Sequence, residues 1–267
     1  MKLFYRKFGN GPPIIILHGL YGSSDNWVTI AKQLGDSSTV ILPDQRNHGQ
    51  SPHSGIHDYD SMRDDLYELV TDLRLKKFFL AGHSMGGKTA VAFALKWPEM
   101  LNGLIVADIS PFTSERTKIP TYNQHITILR TILSIDISSI RSRGQAESLL
   151  LEKISSEKTR ALIMKNLQRN AGDRFSWKMD PGSLYKNIEN LMAGIEMSEA
   201  LNHPVTGFPV IFLKGSDSDY LSLSDMVGIK KVFPSAELAE IKGAGHWIHA
   251  DRPDEVILQI RRLLSDY

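Results

Sequence analysis

Four short apolar runs, separated by longer amphipathic stretches, dictate most of what this chain can become. Ile14-Ile15-Ile16-Leu17 follows two prolines, and Thr39-Val40-Ile41-Leu42 is stopped by Pro43. Phe78-Phe79-Leu80-Ala81 and Leu104-Ile105-Val106-Ala107 complete the set. Runs this short, rich in β-branched or aromatic residues and bounded by turn residues, read as strands buried on both faces. Between them, 59–75 sets Met62, Leu66, Leu69, Val70 and Leu73 on one helical stripe, and 89–97 is rich in alanine and ends before Pro98. Strands alternating with helices imply a mostly parallel sheet with helices on both faces, an α/β architecture.

The alternation stops after Pro111. From there to about His203 the periodicity is helical with no clear strand, and 126–135, 145–154 and 159–169 each read as helices. Strand signals resume at Pro209-Val210-Ile211-Phe212-Leu213 and at 236–241, and 255–264 closes the chain as an amphipathic helix. The pattern predicts an α/β core built from 1–111 and 206–267, interrupted by a helical cap at 112–205. A length of 267 residues suits such a core with its inserted lid.

Charge and composition remove several classes of function. Thirty-one basic residues against 30 acidic leave a formal charge of +1, so no strong field draws the chain to nucleic acid or to an anionic membrane. The absence of cysteine excludes disulfides, thiolate metal sites and a cysteine nucleophile. Histidines and carboxylates are nowhere spaced as metal ligands, so the expectation is a protein without metal or cofactor, acting on a small molecule. Charge interrupts the apolar start of Met1-Lys2-Leu3-Phe4-Tyr5-Arg6-Lys7, unlike a signal peptide. No apolar run nears the roughly 18 residues that cross a bilayer. A cytoplasmic protein is the expectation.

The third run leads directly into Gly82-His83-Ser84-Met85-Gly86, with Gly87 next and the alanine-rich helix beyond. G-x-S-x-G between a buried strand and a helix is the sharp turn that lifts a serine hydroxyl above a sheet edge, so Ser84 is the candidate nucleophile. The first run leads into His18-Gly19-Leu20. Oxyanion donors in acyl transfer come from the amide after the nucleophile and from a loop after an earlier strand, which points to Met85 and Leu20. The base must come late in the chain. His246, in Gly243-Ala244-Gly245-His246-Trp247 between the last strand and the last helix, alone among the histidines combines that position with a glycine-rich loop. His83 occupies a free position of the motif and reads as structural, a side chain that with Trp247 walls the substrate pocket. The acid is open at this level. Asp217 and Asp219 follow the strand after the cap, whereas Asp108 ends an apolar strand one earlier, where a carboxylate is costly without a partner.

Together these segments resemble the YbfF-type esterases of the α/β-hydrolase fold. The shared stretches are His18-Gly19-Leu20 through Asp25-Asn26-Trp27, Asp44-Gln45-Arg46-Asn47-His48-Gly49-Gln50-Ser51, Gly82 through Lys88, Asp108-Ile109-Ser110-Pro111, and Gly245-His246-Trp247-Ile248-His249-Ala250. The resemblance covers nearly the whole core and fades in the cap. It implies hydrolysis of short to medium acyl esters or thioesters through an acyl-enzyme, and it favours Asp108 as the acid. Another reaction at the same site (C–C bond hydrolysis, a lyase step or cofactor-free perhydrolysis) and a non-catalytic receptor are the competing expectations, since a fold does not fix its chemistry.

Overall fold

The computed structural model describes residues 1–112 and 115–265. Its frame is a seven-stranded sheet ordered β1-β3-β2-β4-β5-β8-β9. The strands are β1 Tyr5–Phe8, β2 Pro13–Leu17, β3 Thr39–Pro43, β4 Phe78–His83, β5 Leu101–Ala107, β8 Val210–Gly215 and β9 Ala236–Ile241. All neighbours pair in parallel except the edge strand β1, which runs antiparallel to β3.

Period-two alternation sorts each central strand between two cores. Ile15, Leu17, Leu80, Val106 and Phe212 pack on one face under helices α2 Tyr59–Asp72, α3 Met85–Lys96 and α10 Asp225–Val232. Ile14, Ile16, Phe79, Ala81, Ile105 and Ile211 pack on the other under α1 Val28–Leu34, α11 Ile248–Asp251 and α12 Pro253–Ser265. Burial on both faces, worth about 25 cal/mol for each Å² of apolar surface taken from water, is what makes these strands read as unbroken apolar runs.

The sheet order also fixes where a site can form. From β2 the chain moves outward to β3, then returns past β2 to lay down β4, and afterwards advances in the opposite direction. That reversal opens a crevice at the carboxyl ends of β2 and β4, the position where open α/β sheets hold ligands. The loop after β2 and the turn after β4 both end there.

Between β5 and β8 lie α4 Glu115–Ser134, α5 Arg143–Leu151, α6 Glu157–Met164, α7 Pro181–Lys186, α8 Ile188–Met192, α9 Ser198–Asn202 and a two-stranded hairpin, β6 Leu167–Arg169 with β7 Phe175–Trp177. A third apolar cluster joins this segment to the core, bringing Ile128, Leu129 and Leu191 together with Leu20, Tyr21, Tyr59 and Met85.

The structure departs from the sequence reading at several places. The hairpin occupies a segment expected to hold no strand, and the helix expected over 159–169 ends at Met164. There Arg143 donates from Nη2 to the Met164 carbonyl at 2.5 Å and from Nη1 to that of Leu167 at 2.7 Å, holding the chain's exit. Three-residue strands carry too little periodicity to register. The edge strand β1 and helix α10 were likewise not anticipated, and α3 begins at Met85 rather than at Thr89, because two glycines mask its first turn.

Candidate active site

Ser84 sits between β4 and α3 at φ 54°, ψ −119°, a conformation that L-residues rarely adopt and that costs about 1–3 kcal/mol. Two glycines permit this turn. A Cβ on Gly82 would overlap the Gly86 carbonyl oxygen, and one on Gly86 would stand 2.6 Å from the carbonyl oxygens of both Leu17 and His18. The turn presses the start of α3 against the end of β2. It thereby brings the Met85 amide, at the positive end of the α3 dipole, to the same place as the Leu20 loop. Among the described residues neither the Leu20 nor the Met85 amide donates to a protein acceptor.

The Leu20 loop is braced from behind. Gln45 donates its amide to His18 Nε2 at 2.9 Å and its side-chain Nε2 to the His18 carbonyl at 2.6 Å. His48 Nε2 accepts the Tyr21 amide at 3.2 Å while its Nδ1 donates to the Arg46 carbonyl. Burial drives the pKa of His18 down and that of His48 far down, so both rings are neutral and their Nε2 lone pairs are free to accept. The Asp44–Gly49 stretch, a family-like motif with no role assignable from sequence, is this brace.

His246 arrives on the loop after β9. That loop crosses the end of β8, where a Cβ on Gly215 would lie 2.5 Å from the Gly245 carbonyl oxygen. His83, beneath, donates Nε2–H to the His246 carbonyl at 2.7 Å. The His83 ring is held neutral by burial. The Ser84 hydroxyl reaches His246 Nε2 at 3.0 Å, and His246 Nδ1 lies 2.8 Å from Asp108 Oδ2.

Asp108 is fully buried at the end of β5 and, like Ser84, has a positive φ of 50°. Its Oδ1 accepts the Gly215 amide at 2.8 Å, and its Oδ2 also accepts the Ser218 hydroxyl. Asp217 and Asp219 are exposed, and neither contacts the His246 ring. The Asp217 carboxylate accepts from the neighbouring Ser216 hydroxyl instead. β5 and β8 are adjacent, so both loops were candidates, and the side chains, not the topology, separate them.

Two spaces meet at Ser84. One is a recess of about 60 Å³ lined by Ser84, Met85, Lys88, Ile109, Phe112 and Leu191, among others. The other is an open cavity of about 500 Å³ whose walls include Leu20, His83, His246, Trp247 and, from the cap, Ile128 and Leu162. His125 of α4 and Tyr220 border both. Tyr220 stacks on His246, and His125 Nδ1 is 3.1 Å from the Tyr21 hydroxyl. Ser218, Tyr220, His125 and Lys88 had no signal specific enough to find by sequence. Among the described residues, no group of three or more histidines or carboxylates is placed to hold a metal ion, and no helix is long and apolar enough to cross a membrane.

Comparison with known proteins agrees with this architecture. Residues 12–253 match a family described as the alpha/beta hydrolase fold. The chain is 36% identical over 260 residues to a zebrafish (Danio rerio) protein named sn-1-specific diacylglycerol lipase ABHD11, covering 96% of this chain and 80% of that one. It is 30% identical over 257 residues to esterase YbfF of Escherichia coli K12, covering 96% and 94%. A solved structure titled marine microorganism esterase superposes with a TM-score of 0.92 at 42% identity, covering 98% and 99%. The chain belongs to the α/β-hydrolase fold family.

Proposed function

We propose that this protein is a carboxylesterase-type serine hydrolase that cleaves small acyl esters through an acyl-enzyme. The observation that carries the reading is the unbroken line Ser84 Oγ, His246 Nε2, His246 Nδ1, Asp108 Oδ2, spanned by two hydrogen bonds of 3.0 and 2.8 Å. The names of the relatives support the ester as the bond acted on.

Ser84 Oγ attacks the acyl carbonyl as His246 Nε2 takes its proton. The free amides of Leu20 and Met85 hold the oxyanion, and the α3 dipole adds to their field. The C–O bond to the leaving group breaks as His246 returns the proton to the departing alcohol oxygen. Water, deprotonated by the same ring, then attacks the acyl carbonyl, and Ser84 leaves with that proton. Asp108 fixes the Nδ1–H tautomer and offsets the imidazolium charge. The smaller recess receives the acyl chain and the larger cavity receives the leaving group, with Trp247 as one of its walls. Residues 112–205 act as the cap that excludes water and sets acyl length.

The test is labelling by a fluorophosphonate probe together with turnover of a 4-nitrophenyl ester series. Wild type should label and turn over, and Ser84→Ala, folded by circular dichroism, should do neither. Labelling that persists in Ser84→Ala would remove Ser84 from the nucleophile's role.

A further inference from the structure

Lys88 lies four residues beyond Ser84 on the same face of α3, about 6 Å further along the axis. It borders the recess that opens from Ser84. The side chain is only 5% exposed. Its Nζ donates to the Ala193 carbonyl at 2.6 Å and lies 5.6 Å from the centre of the Tyr59 ring. Among the described residues no carboxylate pairs with it, and none lines the recess. Burial alone lowers its pKa from the ordinary lysine value to about 8.

An ammonium in an apolar wall without a counter-ion is expensive, and a leucine or methionine would fill this helix position at no such cost. One contact to a carbonyl occupies a single N–H of the three. Among the described residues its other contact is the Tyr59 ring, so the remaining donors can serve something that enters the recess. The recess is small, about 60 Å³, and otherwise mostly apolar around Met85, Ile109, Phe112 and Leu191. It therefore suits a chain of only a few carbons with an anion at its end.

Building on the reading of Ser84 as nucleophile, we propose that the recess selects acyl groups ending in a carboxylate, half-esters of short dicarboxylic acids, with Lys88 Nζ binding the distal carboxylate. The chemistry at Ser84 is unchanged. The ester C–O bond breaks, the alcohol leaves with the proton from His246, and water releases the diacid. The distal carboxylate keeps its charge throughout, paired with the ammonium. Lys88 is thus a specificity residue, and a charge-assisted hydrogen bond from so buried a side chain separates a charged from a neutral acyl terminus by roughly 10- to 100-fold.

The experiment measures kcat/KM for 4-nitrophenyl hydrogen succinate and 4-nitrophenyl butyrate, which match in length, with wild type and Lys88→Met at neutral pH. The ratio of the two constants should fall about 10- to 100-fold in Lys88→Met. A ratio the same in both proteins overturns the assignment and leaves Lys88 as a tie to Ala193. A wild type that hydrolyses neither ester defeats the Ser84 reading instead. Should Lys88→Met fail to fold, the wild type still decides. Free glutarate should inhibit butyrate ester hydrolysis competitively and more tightly than free butyrate does, and equal inhibition by the two overturns the proposal.

Discussion

The ring of Tyr220 lies flat against that of His246, with centroids 3.6 Å apart and planes 15° from parallel. Tyr220 also borders both spaces that meet at Ser84. The aromatic face holds the imidazole in one plane and attracts it when it carries a proton, an interaction of about 1 to 2 kcal/mol at a partly buried site. Tyr220→Leu should therefore lower kcat roughly 5- to 30-fold, and Tyr220→Phe should stay close to wild type. Steady-state kinetics on one 4-nitrophenyl ester checks this. An unimpaired Tyr220→Leu would remove the stack from the mechanism.

Asp108→Asn should cost about 10⁴ in kcat, because the amide no longer holds the Nδ1–H tautomer of His246. Asp217→Asn and Asp219→Asn should change kcat little, since both residues are exposed and it is Asp108 that hydrogen-bonds to the His246 ring. Ser218→Ala removes one of the hydrogen bonds on Asp108 and should give a smaller loss, roughly 10-fold. A crippled Asp217 or Asp219 variant beside a healthy Asp108→Asn would reverse the assignment.

The protein should be labile to acid. Burial lowers the pKa of His57 and His249 to about 3 and of His125 to about 4, and it lowers those of His18, His48 and His83 as well. Unfolded histidine takes its proton near 6.5. Each of these groups therefore contributes stability that is present above about pH 6.5 and is lost as pH falls through the interval down to its folded value. The loss is roughly 1.4 kcal/mol per pH unit per histidine. Circular dichroism against pH should show cooperative unfolding within one to two units below 6.5, and His57→Gln should make the transition shallower. A fold intact at pH 4 would contradict the neutral state of these rings.

Gly86→Ala should destabilise the protein by about 3 kcal/mol and abolish turnover together. The added methyl would meet the carbonyl oxygens of Leu17 and His18 at 2.6 Å, and those belong to a strand end and a braced loop that cannot retreat separately. Thermal melting and ester hydrolysis on the same sample check it. A variant of normal stability would mean that the α3–β2 contact is softer than its geometry.

Local pattern was enough for the parallel sheet, the turn at Ser84 and the loop at His246. Strand runs such as 14–17 and 78–81 owe their composition to burial on both faces, and Gly82 and Gly86 are forced by a backbone contact made wherever a strand turns at once into a helix. Those constraints act within a few residues, so they leave a trace in the order of residues. The choice among Asp108, Asp217 and Asp219 left no such trace. It depends on which of two adjacent strand ends points a carboxylate at a ring 138 positions further along the chain, and the chain order satisfies both. The brace of Gln45 and His48 behind the Leu20 loop, the Tyr220 stack and the recess wall at Lys88 are of the same kind. Each joins segments distant in sequence through side chains whose types fit many other uses, so only the packed tertiary structure brings them to one place.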